Sequence, residues 1–427
     1  MATELYLDTA RLGRMCRSAC SAERDFTMLA RQLGSSLYWR QFLSEGCDAL
    51  SEPLKRQLPG LQSWHGVAAL RRSLGKFVGL PDGGHTLLAG QSASLVTMAA
   101  HQLFDRCGAV VTTDLEWPAY LVLLKRIAVA RGKRLCVARI RHRVLKDQID
   151  AFEIVEGVER HYRDQSCDGY FLSDVSSLGV RMPLRRIVAA LQTTRTPLYG
   201  VVDGAQALAH LPINFGELPA DIYLTGAHKW LGGYFPLRIA FIKQNGKEEI
   251  THLLRRLLAR QLIIDPLCEF LDAVENDINL RFGETVNLSA LFSAAGAIAE
   301  WNADPMKIER RYRIRRANCR RVERAIAPYA TPIIHKTLRA GIVLVTTGLG
   351  SDFSLHLAAT HGVSLSMPLP GMMRLAMPER RLQRPELSRL QALFRDATTS
   401  RTDEPAPYAF ASGQVTGSPF MPAFHTH

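Results

Sequence analysis

The sequence predicts an α/β protein with a large domain on a mainly parallel sheet and a smaller α+β domain. Three observations predict it. From about His85 to Lys243, short β-branched or apolar runs alternate with helix-length segments, and strands joined through helices imply parallel neighbours with helices on both faces. The 427 residues allow two or three domains with sizeable cores. A hydrophobic share of 47% against 22% charged residues is that of a globular chain, not of a disordered one.

Taken in order, Thr86 to Leu88, Ala109 to Thr112, Leu135 to Ile140, Tyr170 to Leu172, Pro197 to Val202, Ile222 to Leu224 and Ile239 to Ile242 read as strands. Leu288 to Trp301, apolar and rich in Ala, reads as a helix that leads to the smaller domain from about Asp304 to Ala397. Ser400 to His427 is rich in Pro, Ser, Gly and Thr, shows neither period, and reads as a flexible tail.

The formal charge of +13 admits a nucleic-acid partner. That reading rests on charge alone. The densest basic stretch, Arg310 to Arg324, reads as a solvated helix face with Ile314 and Val322 inward, and a positive field equally serves an anionic substrate or cofactor. The eight cysteines have no zinc-ligand spacing, so reduced structural thiols and no metal are expected. Met1 to Arg14 carries charges, and no later stretch reaches the roughly 18 apolar residues of a membrane span. A cytoplasmic location is the expectation.

Ligands of parallel sheets lie at the carboxyl ends of the strands. The polar residues there are Gln91 and Ser92, Glu116 and Trp117, Asp174 to Ser177, Asp203, and Thr225 to Lys229. Val201 to Gly233 carries the strongest signal: one strand ends on Asp203, followed by Gly204, Ala205 and Gln206, and the next runs into His228, Lys229 and Trp230. A lone strand-end Asp is commonly structural and a lone Lys commonly a surface charge. Between His228 and Trp230, ahead of Leu231 and a Gly pair, Lys229 has an unusual setting for a surface lysine. A lysine amine there can bond a carbonyl and move protons at carbon, and a buried carboxylate can keep a ring nitrogen protonated.

Asp-x-x-Gln ahead of a strand and then His-Lys resembles the aminotransferase class V family, which includes cysteine desulfurases, other carbon–sulfur lyases, isopenicillin-type epimerases and kynureninases. The resemblance extends over about residues 5 to 385. It implies pyridoxal 5′-phosphate (PLP), the PLP-dependent transferase fold type I, and a small domain built from both chain ends. The expected division is therefore 21–303 for the PLP-binding large domain, 1–20 with 304–399 for the small one, and 400–427 for the tail.

Lys229 then matches the Schiff-base lysine, Asp203 the partner of the pyridinium nitrogen, Gln206 the donor to the phenolic oxygen, Ala205 the small residue against one ring face, and His228 the histidine before the lysine. Ala89-Gly90-Gln91-Ser92-Ala93 is similar to the family's phosphate turn, with Gln91 and Ser92 at its centre; an ordinary helix cap is the other reading. Trp117 stands where the family stacks a ring on the cofactor, or else is a core tryptophan. Phe282 to Asn287 resembles the turn whose threonine, here Thr285, reaches the other subunit's phosphate, with Glu284 and Val286 replacing glycine and proline. A homodimer is implied. Arg374 matches the arginine that clamps the substrate carboxylate through two parallel hydrogen bonds. Leu7-Asp8-Thr9-Ala10 resembles the family's opening strand, and Arg11 replaces a usually small residue.

Two absences narrow the activity. No Cys follows Cys319, whereas a desulfurase needs a thiolate on a loop before the carboxylate-binding arginine. The family's Asn near the phenolic oxygen is also missing, with Ser176 or Ser177 as the substitute in Asp174-Val175-Ser176-Ser177. The expected reaction is β-elimination at a carbon–sulfur bond of an amino acid, through proton removal by Lys229 at the α-carbon, and not cysteine desulfuration. The alternatives are an aminotransferase, a decarboxylating deaminase or an epimerase of the same family.

Overall fold

The structure, a computed structural model, describes residues 4–34, 40–243, 247–275 and 286–400. All seven expected strands form, as β2 (His85–Ala89), β3 (Ala109–Thr113), β4 (Arg134–Ala138), β5 (Gly169–Ser173), β6 (Tyr199–Asp203), β7 (Ile222–Gly226) and β8 (Arg238–Ile242), after a short β1 (Leu5–Tyr6). They make one sheet in the order β2-β8-β7-β6-β5-β3-β4. Neighbours from β7 to β4 pair in parallel, but β8 runs antiparallel to both β7 and β2. The chain from Gly226 to Arg238 contains no helix. Without a crossover the next strand returns antiparallel, which is why β8 departs from the parallel pattern.

Side chains alternate across the sheet with the period of two that a strand imposes. Tyr170, Leu172, Val202 and Tyr223 face one core, while Phe171, Val201, Ile222 and Leu224 face the other. The second of these cores is closed by Ser92–Arg106, Pro118–Ala130 and Lys247–Ala259, the first by helices that include Ala151–Asp164, Leu184–Thr194 and Ser289–Asn302. The last is the helix expected from Leu288 to Trp301, shifted by one residue.

A third core lies around an antiparallel sheet of β9 (Ile342–Thr346), β11 (Ser366–Leu369) and β12 (Met372–Ala376), in the order β11-β12-β9. Strand β10 (Val363–Ser364) pairs in parallel with β1, placing Leu5 opposite Val363. Leu5 and Leu7 thus share a core with Val322, Leu375 and Leu390, and the two ends of the described chain meet.

The basic stretch is a helix face whose Arg310, Arg313, Arg316, Arg320 and Arg324 are exposed as expected, while Arg315 is buried and Arg311 half-buried. It lies in the helix Lys307–Ile326, whose buried side is Tyr312, Arg315, Asn318, Cys319, Val322 and Ile326, with Ile314 only half-buried. Arg315 bonds the Ala209 carbonyl at 3.1 Å and pairs with Glu379 at 3.3 Å; Arg311 pairs with Glu379 at 2.6 Å and stacks on Trp301. Specific partners offset the cost of burying these cations. All eight cysteines are free, as the spacing predicted. No helix among the described residues is long and apolar enough to cross a membrane.

Candidate active site at the strand ends

β6 and β7 are parallel neighbours and end side by side, with Asp203 opposite Leu224. Asp203 closes β6 and is 7% exposed; its Oδ1 accepts a 2.9 Å hydrogen bond from the Ala205 amide. Lys229 follows β7 and is partly accessible. Burial lowers the Lys229 amine to about 8; Asp203 opposes that shift, and Arg238 and Arg374 add to it. Burial raises the Asp203 carboxyl, while its Ala205 hydrogen bond and the charges of Lys229 and Arg238 pull it down. The two groups sense each other, so carboxylate and amine share one buried site. His228 is pushed down to about 2 by burial and by the Arg238 and Lys229 charges, and its imidazole is neutral.

Behind Asp203 lies a second carboxyl. Glu116, 1% exposed, accepts from the Ser173 amide at 2.9 Å and shares hydrogen bonds with the Ser173 and Thr113 hydroxyls. Burial pushes it up to about 8, with a further contribution from the Asp203 charge. Glu116 is therefore largely a neutral acid near pH 7, so it places no second negative charge beside Asp203.

The Lys229 loop is held by the N-terminal segment. The Gly13 amide donates to the His228 carbonyl at 2.8 Å, and the Cys16 amide to that of Gly232 at 3.1 Å. A Cβ on Gly13 would sit 1.8 Å from the Lys229 carbonyl oxygen, so only glycine permits this approach. Gln206 donates to the Ala10 carbonyl at 2.6 Å and accepts from the Trp230 indole at 2.9 Å. Its amide thus braces the segment and the loop together, which the sequence reading did not anticipate. His210 stacks on Trp230 with ring centroids 3.8 Å apart.

At the opposite wall, the expected phosphate turn precedes the helix Ser92–Arg106, which has no side-chain cap. Asp265 fixes this turn. Its carboxylate accepts from the amides of Gly90 at 3.0 Å, Gln91 at 2.8 Å and Cys268 at 3.0 Å. The Gly90 and Gln91 amides are thereby committed, and Gln91 projects into solvent. Those of the first helical turn, beginning at Ser92, have no intrahelical acceptor. The Ser92 hydroxyl bonds Tyr120, whose phenol burial raises to about 12. Trp117 precedes the helix Pro118–Ala130 with its side chain 51% exposed, an accessible ring and not a core tryptophan.

Arg374 comes from β12 and is 6% exposed. It donates to the Ser177 carbonyl at 2.6 Å and to the Ser366 hydroxyl at 3.0 Å, and lies 3.9 Å from Asp8. Its charge is one of those that lower the Lys229 amine. The Ser176 hydroxyl accepts from the Leu178 and Val180 amides at 3.3 and 3.2 Å and is spent on its own turn. Asp8 also pairs with Arg11 at 2.8 Å. Thr285 lies outside the described residues.

A family model described as Aminotransferase class-V matches residues 61–254. Over that segment the chain is similar to the class-V aminotransferases. In this family the enzymes use PLP, and the donor set fits it: an amine and a carboxylate in one buried pocket, an uncapped helix start for a phosphate, and a buried arginine on the substrate side. Among curated proteins, the chain is 23% identical over 107 residues to the hercynylcysteine sulfoxide lyase of Schizosaccharomyces pombe. That match spans 25% of this chain and only 27% of the relative. Among solved structures it resembles a cysteine desulfurase from Thermococcus onnurineus (14% identity, 93% of this chain, 95% of that one, TM-score 0.66). It also resembles a cystine C–S lyase (16%, 93% and 98%, 0.63). At such identities the likeness concerns the fold, PLP fold type I.

Sequence reasoning missed Asp265, Gly13, Tyr120 and Arg238. Asp265 stood before Pro266 at a helix start, a readable cap signal, but nothing in the sequence linked it to a turn so far away. Arg238 interrupts the apolar run Leu237 to Ile242, and a charge inside such a strand was the available signal.

Proposed function

We propose that this class-V enzyme performs β-elimination at a carbon–sulfur bond of an amino acid and is not a cysteine desulfurase. The carrying observation is the convergence of Lys229, Asp203 and Arg374 on one site in a chain with no Cys after Cys319. The short match to a hercynylcysteine sulfoxide lyase supports the same direction.

When bound, PLP supplies an electron sink for negative charge at the substrate's α-carbon. Lys229 is placed to take the α-proton, and an amine lowered to about 8 has a substantial neutral fraction near physiological pH. Asp203 would pair with a protonated ring nitrogen of the cofactor, and Glu116, kept neutral, would add no second charge beside it. Arg374 receives the substrate carboxylate, its guanidinium oriented in advance by the Ser177 carbonyl and the Ser366 hydroxyl. Trp117 covers the open side and excludes water. Loss of the α-proton and of the β-sulfur substituent releases the thiol and leaves an α,β-unsaturated amino acid, whose imine tautomer water hydrolyses to a keto acid and ammonia.

Incubation with a panel of cysteine conjugates should release pyruvate, ammonia and the thiol in equal amounts. Formation of pyruvate from none of them, with a keto acid or aldehyde that keeps the side chain, would shift the reading to the aminotransferase or decarboxylating-deaminase branch. A homodimer belongs to this proposal, with Thr285 serving the partner's site. Mixing a Lys229→Ala chain with a Thr285→Ala chain should restore part of the activity, and a fully active monomer would exclude the shared site.

A further inference from the structure

Arg238 is a cation without an acid. It opens β8, opposite Ala89 of β2 on one side and Gly226 of β7 on the other. Its side chain therefore lies between the turn that starts the helix Ser92–Arg106 and the loop that carries Lys229. One terminal nitrogen, Nη1, lies 3.1 Å from the His228 ring nitrogens, and its buried Nε has no hydrogen-bond partner. No carboxylate lies within ion-pair distance among the described residues. Asp265, the nearby acid of the turn, is taken up by three amides. Asp203 and the Tyr120 phenol act on Arg238 only through their charge.

A partly buried guanidinium beside a neutral imidazole is costly unless an anion completes it. The structure offers a place for one. Arg238 pairs with Ala89, three residues before Ser92, and the first-turn amides of Ser92–Arg106 there are donors with no intrahelical acceptor, beside the Ser92 hydroxyl that bonds Tyr120. A planar guanidinium binds a phosphate through parallel hydrogen bonds. We propose that Arg238 is a cofactor-binding residue that holds the PLP phosphate jointly with the start of this helix. The inference rests on the class-V reading and extends it, since no motif of the sequence pointed to an arginine at this position.

Binding is measured on cofactor-free protein by equilibrium titration with PLP, with pyridoxal, which lacks the phosphate, and with inorganic phosphate by calorimetry. Arg238→Ala should weaken PLP about 10- to 100-fold, the loss of charge-assisted hydrogen bonds to an anion. Pyridoxal affinity should stay unchanged and phosphate binding should vanish. Arg238→Lys, which keeps the charge without the fork, should fall between, and it serves as the test if the Ala variant does not fold. Melting of the cofactor-free variants should show no loss of stability, because no satisfied ion pair is removed. Equal weakening of PLP and pyridoxal, or phosphate binding indifferent to both substitutions, would overturn the role of Arg238. Wild-type protein that binds neither PLP nor pyridoxal would instead overturn the cofactor reading beneath it.

Discussion

Lys229 and Asp203 oppose each other's tendency to lose charge in a buried pocket, and both consequences are measurable. In cofactor-free protein the Lys229 amine should react with an amine reagent at markedly lower pH than a surface lysine, because half of it is neutral near pH 8 against 10.5 for an ordinary lysine. Asp203→Asn removes the charge that raises the amine's pKa, so labelling should move to still lower pH. In the loaded enzyme, Lys229→Ala should abolish turnover. Asp203→Asn should leave docking largely intact while cutting the rate about 100-fold or more. Borohydride reduction and peptide mapping should place the pyridoxyl group on Lys229, and its appearance on another lysine would refute the assignment. These residues were legible because they stand together in a short segment. Arg238 was not, since its meaning depends on the two strands it lies between.

At the scale of elements, the site is a set of strand ends held at fixed spacing by two braces. One is the N-terminal segment, tied down by Gly13 and Gln206. The other is Asp265, 2% exposed, which joins the start of the helix Pro266–Glu275 to the turn after β2. Asp265→Ala would leave three amides without their charged acceptor and should lower stability by about 2–3 kcal/mol. The freed Gly90 and Gln91 turn should also bind the cofactor more weakly. Denaturant unfolding with and without PLP would check this, and an unchanged midpoint would show that water replaces the carboxylate.

For the whole molecule, stability should depend on pH through Glu116. Its acid is pushed up from 4.5 to about 8 in the folded chain. Between those values the folded state keeps a proton that the unfolded state has lost, so this contribution is complete below about pH 4.5 and fades as pH rises through 8. His228, neutral when folded, acts on the other side: the unfolded chain takes up a proton below about 6.5, and stability falls there as pH falls. Glu116→Gln in cofactor-free protein should flatten the decline of the melting temperature between pH 6 and 8 relative to wild type. A wild-type curve already flat over that range would contradict the buried-acid assignment.

Sequence alone determined the seven sheet strands, the Ala-rich helix and the resemblance to class-V aminotransferases, because each is a local signal: alternation of apolar runs, helix-length spacing, or residues within one short segment. Tertiary structure decided the rest. The reversal of β8 follows from a connection without a crossover helix, and it is what brings Arg238 to the cofactor side of the sheet. Most of the Arg310 to Arg324 stretch is exposed as its charge suggested, but one-dimensional periodicity cannot show that Glu379, Glu300 and Trp301 draw Arg311 and Arg315 inward. Gln206, Gly13 and Asp265 took their parts from hydrogen-bond partners as many as 215 positions away, from Gly13 to His228. A hydrogen bond or a close approach between distant segments leaves no period in the sequence, and only the packed chain brings its two halves together.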